Sequence, residues 1–72
     1  MRLGEMIRGH RKKAGLTQKE LADLAGVGKT VIFDIEQGKE TIQIRTLWLI
    51  CAALNISIDF SSPLMEEYYA SV

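Results

Sequence analysis

Few side chains in this sequence have the types and spacing that catalysis or metal binding requires. His10 is the single histidine, and no carboxylate or thiol stands at triad or metal-ligand spacing from it, which favours a packed or half-exposed helix position. Ser57, Ser61 and Ser62 lack the glycine-flanked turn of a nucleophile elbow. Cys51 has no second cysteine for a disulfide or zinc site, and in "LWLICAALN" it is predicted to be a buried apolar residue. The sequence therefore predicts a protein that is not an enzyme and needs no metal or cofactor.

The stretch "AGVGKT" is not a phosphate-binding loop. It places Gly26 and Gly28 before Lys29 and Thr30, but the first glycine of the phosphate-loop pattern is missing at the required spacing. A chain of 72 residues also has no room for the parallel sheet that such a loop needs. The four residues must serve another purpose.

Composition predicts one small globular domain with an uneven distribution of charge. The chain is 47% hydrophobic, which is ample for a core, although 72 residues is near the lower limit for a stable one. The net charge is zero, yet residues 1–30 carry +4 and residues 31–72 carry −4. A basic face that could meet a polyanion is thus compatible with the neutral total. The single cysteine, with no signal peptide or apolar span, predicts a cytoplasmic protein without a membrane partner.

Two short helices are predicted near the start of the chain. The first should end at Gly15, after a basic last turn. Thr17 and Glu20 have the spacing of a capping box, so the second helix should begin at Gln18 and end at Gly26. The predicted inward face of the first helix is formed by Leu3, Ile7, His10 and Ala14, at spacings of four, three and four.

Two more helices and one strand are predicted after Gly26. The third helix should span about residues 29–37, and the fourth about residues 44–54, with Asn55 as a left-handed cap. The segment "ISIDF", residues 56–60, alternates apolar and polar residues as a strand does. Ser62 and Pro63 could open a terminal turn or short helix. The predicted core stripe of the fourth helix consists of Leu47, Ile50, Cys51 and Leu54.

The second and third helices are typical of a helix-turn-helix. Ala22 is small where the two helices would cross, and Gly26 permits the left-handed backbone of a tight turn. The start of the third helix would then be exposed and could reach base edges in the major groove of DNA.

The stretch "TQKELADLAGVGKTVIFDIEQGK" resembles the Cro/C1-type (XRE) helix-turn-helix family, and the likeness extends over residues 3–54. It implies an all-α, lambda-repressor-like bundle of four or five short helices in a DNA-binding regulator. The positions that match the family pattern are Thr17, Gln18, Leu21, Ala22, Gly26, Val27, Ile32, Glu36 and Gly38.

The same resemblance implies roles for individual residues. Lys29, Thr30 and Asp34 fall on the family's base-reading positions, and Arg11 with Glu36 resembles its internal ion pair. Phe33 would contact a thymine methyl group or simply cover the neighbouring turn.

Phosphate contacts are implied for Gln18, Gly28, Lys12 and Lys39. Gly28 stands where the family has a serine or threonine cap, so the side-chain contact is lost and DNA affinity should be reduced. Such a glycine cap costs only a few tenths of a kcal/mol. Lys12 would otherwise be a solvated surface residue.

A narrower likeness relates "GEMIRGHRKKAGLTQKELADLAGVG", "TLWLICAALN" and the following strand to the HipB-like antitoxin group. It implies that the strand pairs between two subunits and that the partner is a HipA-like kinase toxin. We therefore divide the chain into a DNA-binding domain, residues 1–55, and a dimerising strand with its tail, residues 56–72. The dimer interface is assigned to Trp48, Ile56, Ile58 and Phe60, although Trp48 could instead be a partly buried core residue.

Two functional hypotheses follow. In the first, the protein is a homodimeric repressor that binds a palindromic operator in double-stranded DNA. In the second, it is a protein-interaction module that mainly neutralises a HipA-like kinase toxin, with DNA binding secondary.

Overall fold

The computed structural model describes residues 2–64, which fold into four helices. These are α1 (Leu3–Lys13), α2 (Gln18–Ala25), α3 (Lys29–Glu36) and α4 (Ile44–Ala53). The expected all-α bundle with a helix-turn-helix is confirmed, and each predicted helix boundary agrees within one or two residues. No helix in this part of the chain is long and apolar enough to cross a membrane.

The start and end of α2 are fixed by local interactions. The Thr17 hydroxyl accepts a hydrogen bond from the Glu20 backbone N–H (3.0 Å), and the Glu20 carboxylate accepts one from the Thr17 N–H (2.9 Å). The predicted capping box is therefore present. Gly26 ends the helix with a φ of 73°, a left-handed conformation that favours glycine.

The centre of the bundle contains one fully buried side chain from each helix. Ile7, Leu21, Ile32 and Ile50 all have no solvent exposure. They lie in one apolar cluster with the buried Ala22, Ala25 and Ile35. Because all four helices contribute, the position of α3 depends on the whole bundle.

The inward face of α1 differs from the prediction. Leu3 and Ile7 face the core, but His10 and Ala14 are exposed. The face continues instead through Gly4, which is buried, and Arg11, which is only partly exposed. Arg11 faces inward because it forms an ion pair, and a pattern of apolar residues cannot identify such a position.

Gly4 lies at a close contact between α1 and α3. A Cβ atom added to Gly4 would collide with the backbone carbonyl of Ile35. This contact requires the absence of a side chain at residue 4, and the sequence pattern gave no indication of it.

The segment after α4 is not a strand within one chain. Asn55 has a φ of 58°, as its predicted left-handed cap requires, and the Ile56 N–H donates to the Cys51 carbonyl (2.8 Å). Residues 56–60 have no regular secondary structure, because the described chain offers no second strand to pair with. Residues 63–64 form a turn, and the rest of the predicted C-terminal turn or helix lies outside the described residues.

Candidate nucleic-acid interface

The first turns of α3 present a polar and aromatic surface to solvent. Lys29 and Thr30 are exposed, and Phe33 is 49% exposed. These three residues and Gln18 line one open concavity of about 380 Å³. Three of the four residues expected to contact bases thus share a surface with Gln18, one of the four residues expected to contact phosphate.

Asp34 lies outside this concavity and faces Lys39. Its carboxylate is 3.9 Å from the Lys39 ammonium group, and the Lys39 backbone N–H donates to the Asp34 carbonyl (3.0 Å). Both side chains line a neighbouring cavity beside the loop that leads to α4. Lys39 therefore reduces the repulsion that Asp34 would experience from DNA phosphates.

Arg11 and Glu36 join α1 to the last residue of α3. Arg11 Nε donates to Glu36 Oε2 (2.7 Å), and Arg11 Nη2 donates to Glu36 Oε1 (2.9 Å). Arg11 Nη1 donates to the Leu16 carbonyl (2.8 Å), so the guanidinium also holds the α1–α2 loop. The Arg11 side chain is 11% exposed and the Glu36 side chain 2% exposed. This is the two-pronged geometry in which arginine binds a carboxylate most strongly.

Gln18 extends this network to α2. Its Nε2 donates to Glu36 Oε1 (3.2 Å), so one amide hydrogen is committed to the end of α3 and the second remains for another acceptor. The Gln18 backbone N–H is also among the first-turn N–H groups that have no partner within the helix. Two hydrogen-bond donors of Gln18 therefore lie at the edge of the concavity that it lines with Lys29, Thr30 and Phe33, which we call the recognition surface.

The network changes the pKa values of both charged groups. Burial alone would raise the pKa of Glu36, but its hydrogen bonds to Arg11 and Gln18 and the positive charges of Arg11 and Arg8 lower that pKa overall. The hydrogen bond to Glu36 raises the pKa of Arg11 despite partial burial. Both groups are charged at neutral pH.

The other three residues expected to contact phosphate lie at separate places in the fold. Gly28 is the N-cap of α3 and makes no side-chain cap hydrogen bond, as its lack of a side chain dictates. Lys12 is exposed in the last turn of α1, and Lys39 lies beyond α3 beside Asp34. The structure does not bring these three residues together into one cluster.

A second exposed surface lies on α4. Trp48 is 49% exposed and lines a cavity of about 310 Å³ together with the partly buried Ile56 and Ile58. Phe60 is 64% exposed and lies outside that cavity. Three of the four residues expected at a dimer interface are therefore neighbours in the single chain.

Arg8 lies beside the expected site residues, and the sequence analysis did not single it out. It lines a cleft with Gln18 and Glu36, one turn before Arg11 on α1. Its spacing of three from Arg11, which makes the two residues neighbours on the surface of one helix, could have revealed it.

An exposed α3 held by α2 and by an ion pair to α1 defines a helix-turn-helix DNA-binding domain. The chain belongs to the helix-turn-helix family described as HTH_3, whose family model matches residues 7–61.

Individual relatives agree with this membership. An uncharacterized HTH-type transcriptional regulator of Sinorhizobium fredii is 43% identical over 61 residues, covering 85% of this chain and 80% of that protein. The immunity repressor protein of Bacillus phage phi105 is 33% identical over 58 residues, covering 81% of this chain but 40% of the phage protein. In the SinR protein/SinI protein complex, the matched chain has a TM-score of 0.72 and 27% identity, covering 96% of this chain and 76% of the matched one. The chain is thus a DNA-binding regulator of the Cro/C1 type.

Proposed function

We propose that this protein is a sequence-specific transcriptional repressor that inserts α3 into the major groove of an operator. The main support is the exposed surface that Lys29, Thr30 and Phe33 share with Gln18. Lys29 would donate to guanine O6 and N7, Thr30 would bond to a base edge, and Phe33 would contact a thymine methyl group. Asp34 would accept from cytosine N4, with Lys39 offsetting its charge.

Contacts to the phosphates of the DNA backbone would hold α3 in a fixed position along the major groove. The second amide hydrogen of Gln18 and the N–H groups at the start of α2 would bind one phosphate. Lys12, Lys39 and the Gly28 backbone would provide further contacts to the strands that border the groove. Because Gln18 is also bonded to Glu36, this phosphate contact would fix the orientation of α3.

We assign repression rather than activation because a relative, the protein of phage phi105, is named an immunity repressor. A domain that covers an operator can repress by excluding other proteins from the same DNA.

The repressor would act as a homodimer on a palindromic operator. Residues 56–60 alternate apolar and polar side chains as a strand does, but residues 2–64 contain no second strand that could pair with them. Ile56 and Ile58 lie beside the exposed Trp48. Antiparallel pairing of two copies, with Phe60 at the edge, would satisfy the backbone groups of both chains.

Selection of bound DNA from a random pool tests this function. The wild type should enrich a palindrome, and Lys29→Ala and Asp34→Ala should change which bases are selected. Each lost base contact should cost about 1–3 kcal/mol at its position. Gln18→Ala should weaken all sites alike, because a phosphate contact carries no base information. Failure of the wild type to enrich any sequence would refute the proposal.

A second candidate role is binding of a protein partner, as in the HipB-like antitoxin group. It is supported by the excess negative charge of residues 31–72 and by the exposed apolar residues Ile44, Trp48 and Leu49 on α4. The structurally similar chain in the SinR/SinI complex is itself found with a second protein. A HipA-like kinase encoded beside this gene would be the partner to co-express, and co-purification with the wild type but not with Trp48→Asp would support the role.

A further inference from the structure

Arg8 lies in a cleft that adjoins the recognition surface. The cleft has a volume of about 120 Å³, and Arg8, Gln18 and Gln37 lie around the Arg11–Glu36 pair. Gln18 also lines the larger concavity formed with Lys29, Thr30 and Phe33. The two surfaces are therefore continuous through one side chain.

The charges in the cleft do not balance. Arg11 and Glu36 neutralise each other, and both Glu36 oxygens already accept hydrogen bonds from Arg11 or Gln18. Within residues 2–64, no carboxylate lies within ion-pair distance of Arg8. The cleft thus has one positive charge in excess, carried by a group whose planar fork of N–H donors suits a phosphate.

Arg8 lies on the same side of α1 as a second basic residue, Lys12. Residues four apart lie about 40° apart around a helix, so Arg8 and Lys12 share a face, whereas Lys13 is rotated by about 140°. Arg8 and Gln18, at the start of α2, line the same cleft and form a donor edge beside the recognition surface.

We propose that Arg8 binds a phosphate of the DNA backbone next to the phosphate assigned to Gln18. This inference rests on the proposed DNA-binding function. With α3 in the major groove, the strand that borders the groove would pass along the edge shared by Gln18 and Arg8. Arg8 would then contribute affinity without base preference.

The test measures how DNA affinity depends on salt for the full chain and its Arg8→Gln variant. A lost phosphate contact reduces the slope of log Kobs against log salt by about 0.9 per protomer, and reduces affinity roughly tenfold per protomer at 0.1 M salt. Lys13→Gln is the matched control, since it removes the same charge from the opposite side of α1. The selected base sequence should be the same for all three proteins.

The outcomes separate the two proposals. If the wild type binds DNA but Arg8→Gln has the same salt slope as Lys13→Gln, the assignment of Arg8 is wrong. A lower melting temperature for Arg8→Gln with an unchanged slope would likewise overturn it, because Arg8 would then act only by stabilising Glu36. If the wild type binds no DNA, the proposed function itself fails.

Discussion

Glu36 is a buried carboxylate that joins three helices through its hydrogen bonds. Its side chain is 2% exposed, and its two oxygens hold Arg11 from α1 and Gln18 from α2 at the end of α3. No buried side-chain polar atom in the described chain lacks a partner, so this network is complete as it stands. Removing Arg11 or Glu36 leaves the other charged group without its counterion.

Replacement of Glu36 by alanine should strongly destabilise the fold. Arg11 would keep its charge without a counterion, at a cost of roughly 3–5 kcal/mol. Urea or thermal unfolding should show a large loss of stability, while the exposed control Glu40→Ala should change little. Arg11→Met combined with Glu36→Leu should recover part of the loss, because no charge then remains buried. An unchanged melting temperature for Glu36→Ala would mean that the ion pair does not support the fold.

The same carboxylate should make stability depend on acid pH. The pKa of Glu36 lies below its ordinary value of 4.5 in the folded protein, so its contribution is complete above that value. It is lost as the pH falls through the folded-state pKa. The pKa of Glu20 is lowered in the same direction by hydrogen bonds from the Thr17 backbone and side chain. Unfolding measured from pH 6 to pH 2 should therefore show falling stability, with a shallower fall in Glu36→Gln than in Glu20→Gln or the wild type.

At the scale of helices, the close approach of α1 and α3 gives a matched pair of glycine substitutions. Gly4→Ala would drive a methyl group into the Ile35 carbonyl and should separate the helices, at a cost of about 1–3 kcal/mol. Gly9, also in α1, is exposed and has no neighbouring atom within 4 Å of an added Cβ. Gly9→Ala should therefore stabilise the helix by about 0.5–1 kcal/mol. Urea unfolding of both variants is the check, and equal effects would refute the contact.

The sequence predicted those features of the helices that are determined by residues close to one another in the chain. The start of α2 and the left-handed caps at Gly26 and Asn55 follow from neighbouring residues, so they were predictable. Gly4, His10 and Ala14 depend on how α1 meets α3, which no local pattern contains. In the candidate site, the exposed positions Lys29, Thr30 and Phe33 followed from the family pattern, but the pairing of Asp34 with Lys39 required the folded loop.

For the whole molecule, the uneven charge matches a division into two surfaces. The basic half of the sequence contains α1, α2 and the start of α3, where the donor edge lies. The acidic half contains the rest of α3, α4 and the segment after it. In the proposed roles, the surface that would bind polyanionic DNA and the surface that would bind another protein thus belong to different parts of the sequence.

The segment after α4 should determine whether the protein is a dimer. In the proposed dimer, residues 56–60 of two copies pair about a two-fold axis, with Ile58 and Trp48 facing the shared interface. The same axis would place the two recognition helices about 34–36 Å apart, one turn of DNA, which is why the operator should be palindromic. Ile58→Asp would bring a carboxylate into the apolar interface and should abolish dimerisation and specific DNA binding. The helices should remain partly folded by circular dichroism, since Ile58 lies outside all four of them.

Ser57→Asp is the matched control, because Ser57 is exposed and adjacent residues of a strand face opposite sides. Sedimentation at micromolar concentration should show a dimer for the wild type and for Ser57→Asp, and a monomer for Ile58→Asp. A wild type that sediments as a monomer would refute the paired-strand dimer in solution. In that case, sedimentation on operator DNA would show whether two copies meet only there, and Ile58→Asp would lower the occupancy of the second half-site.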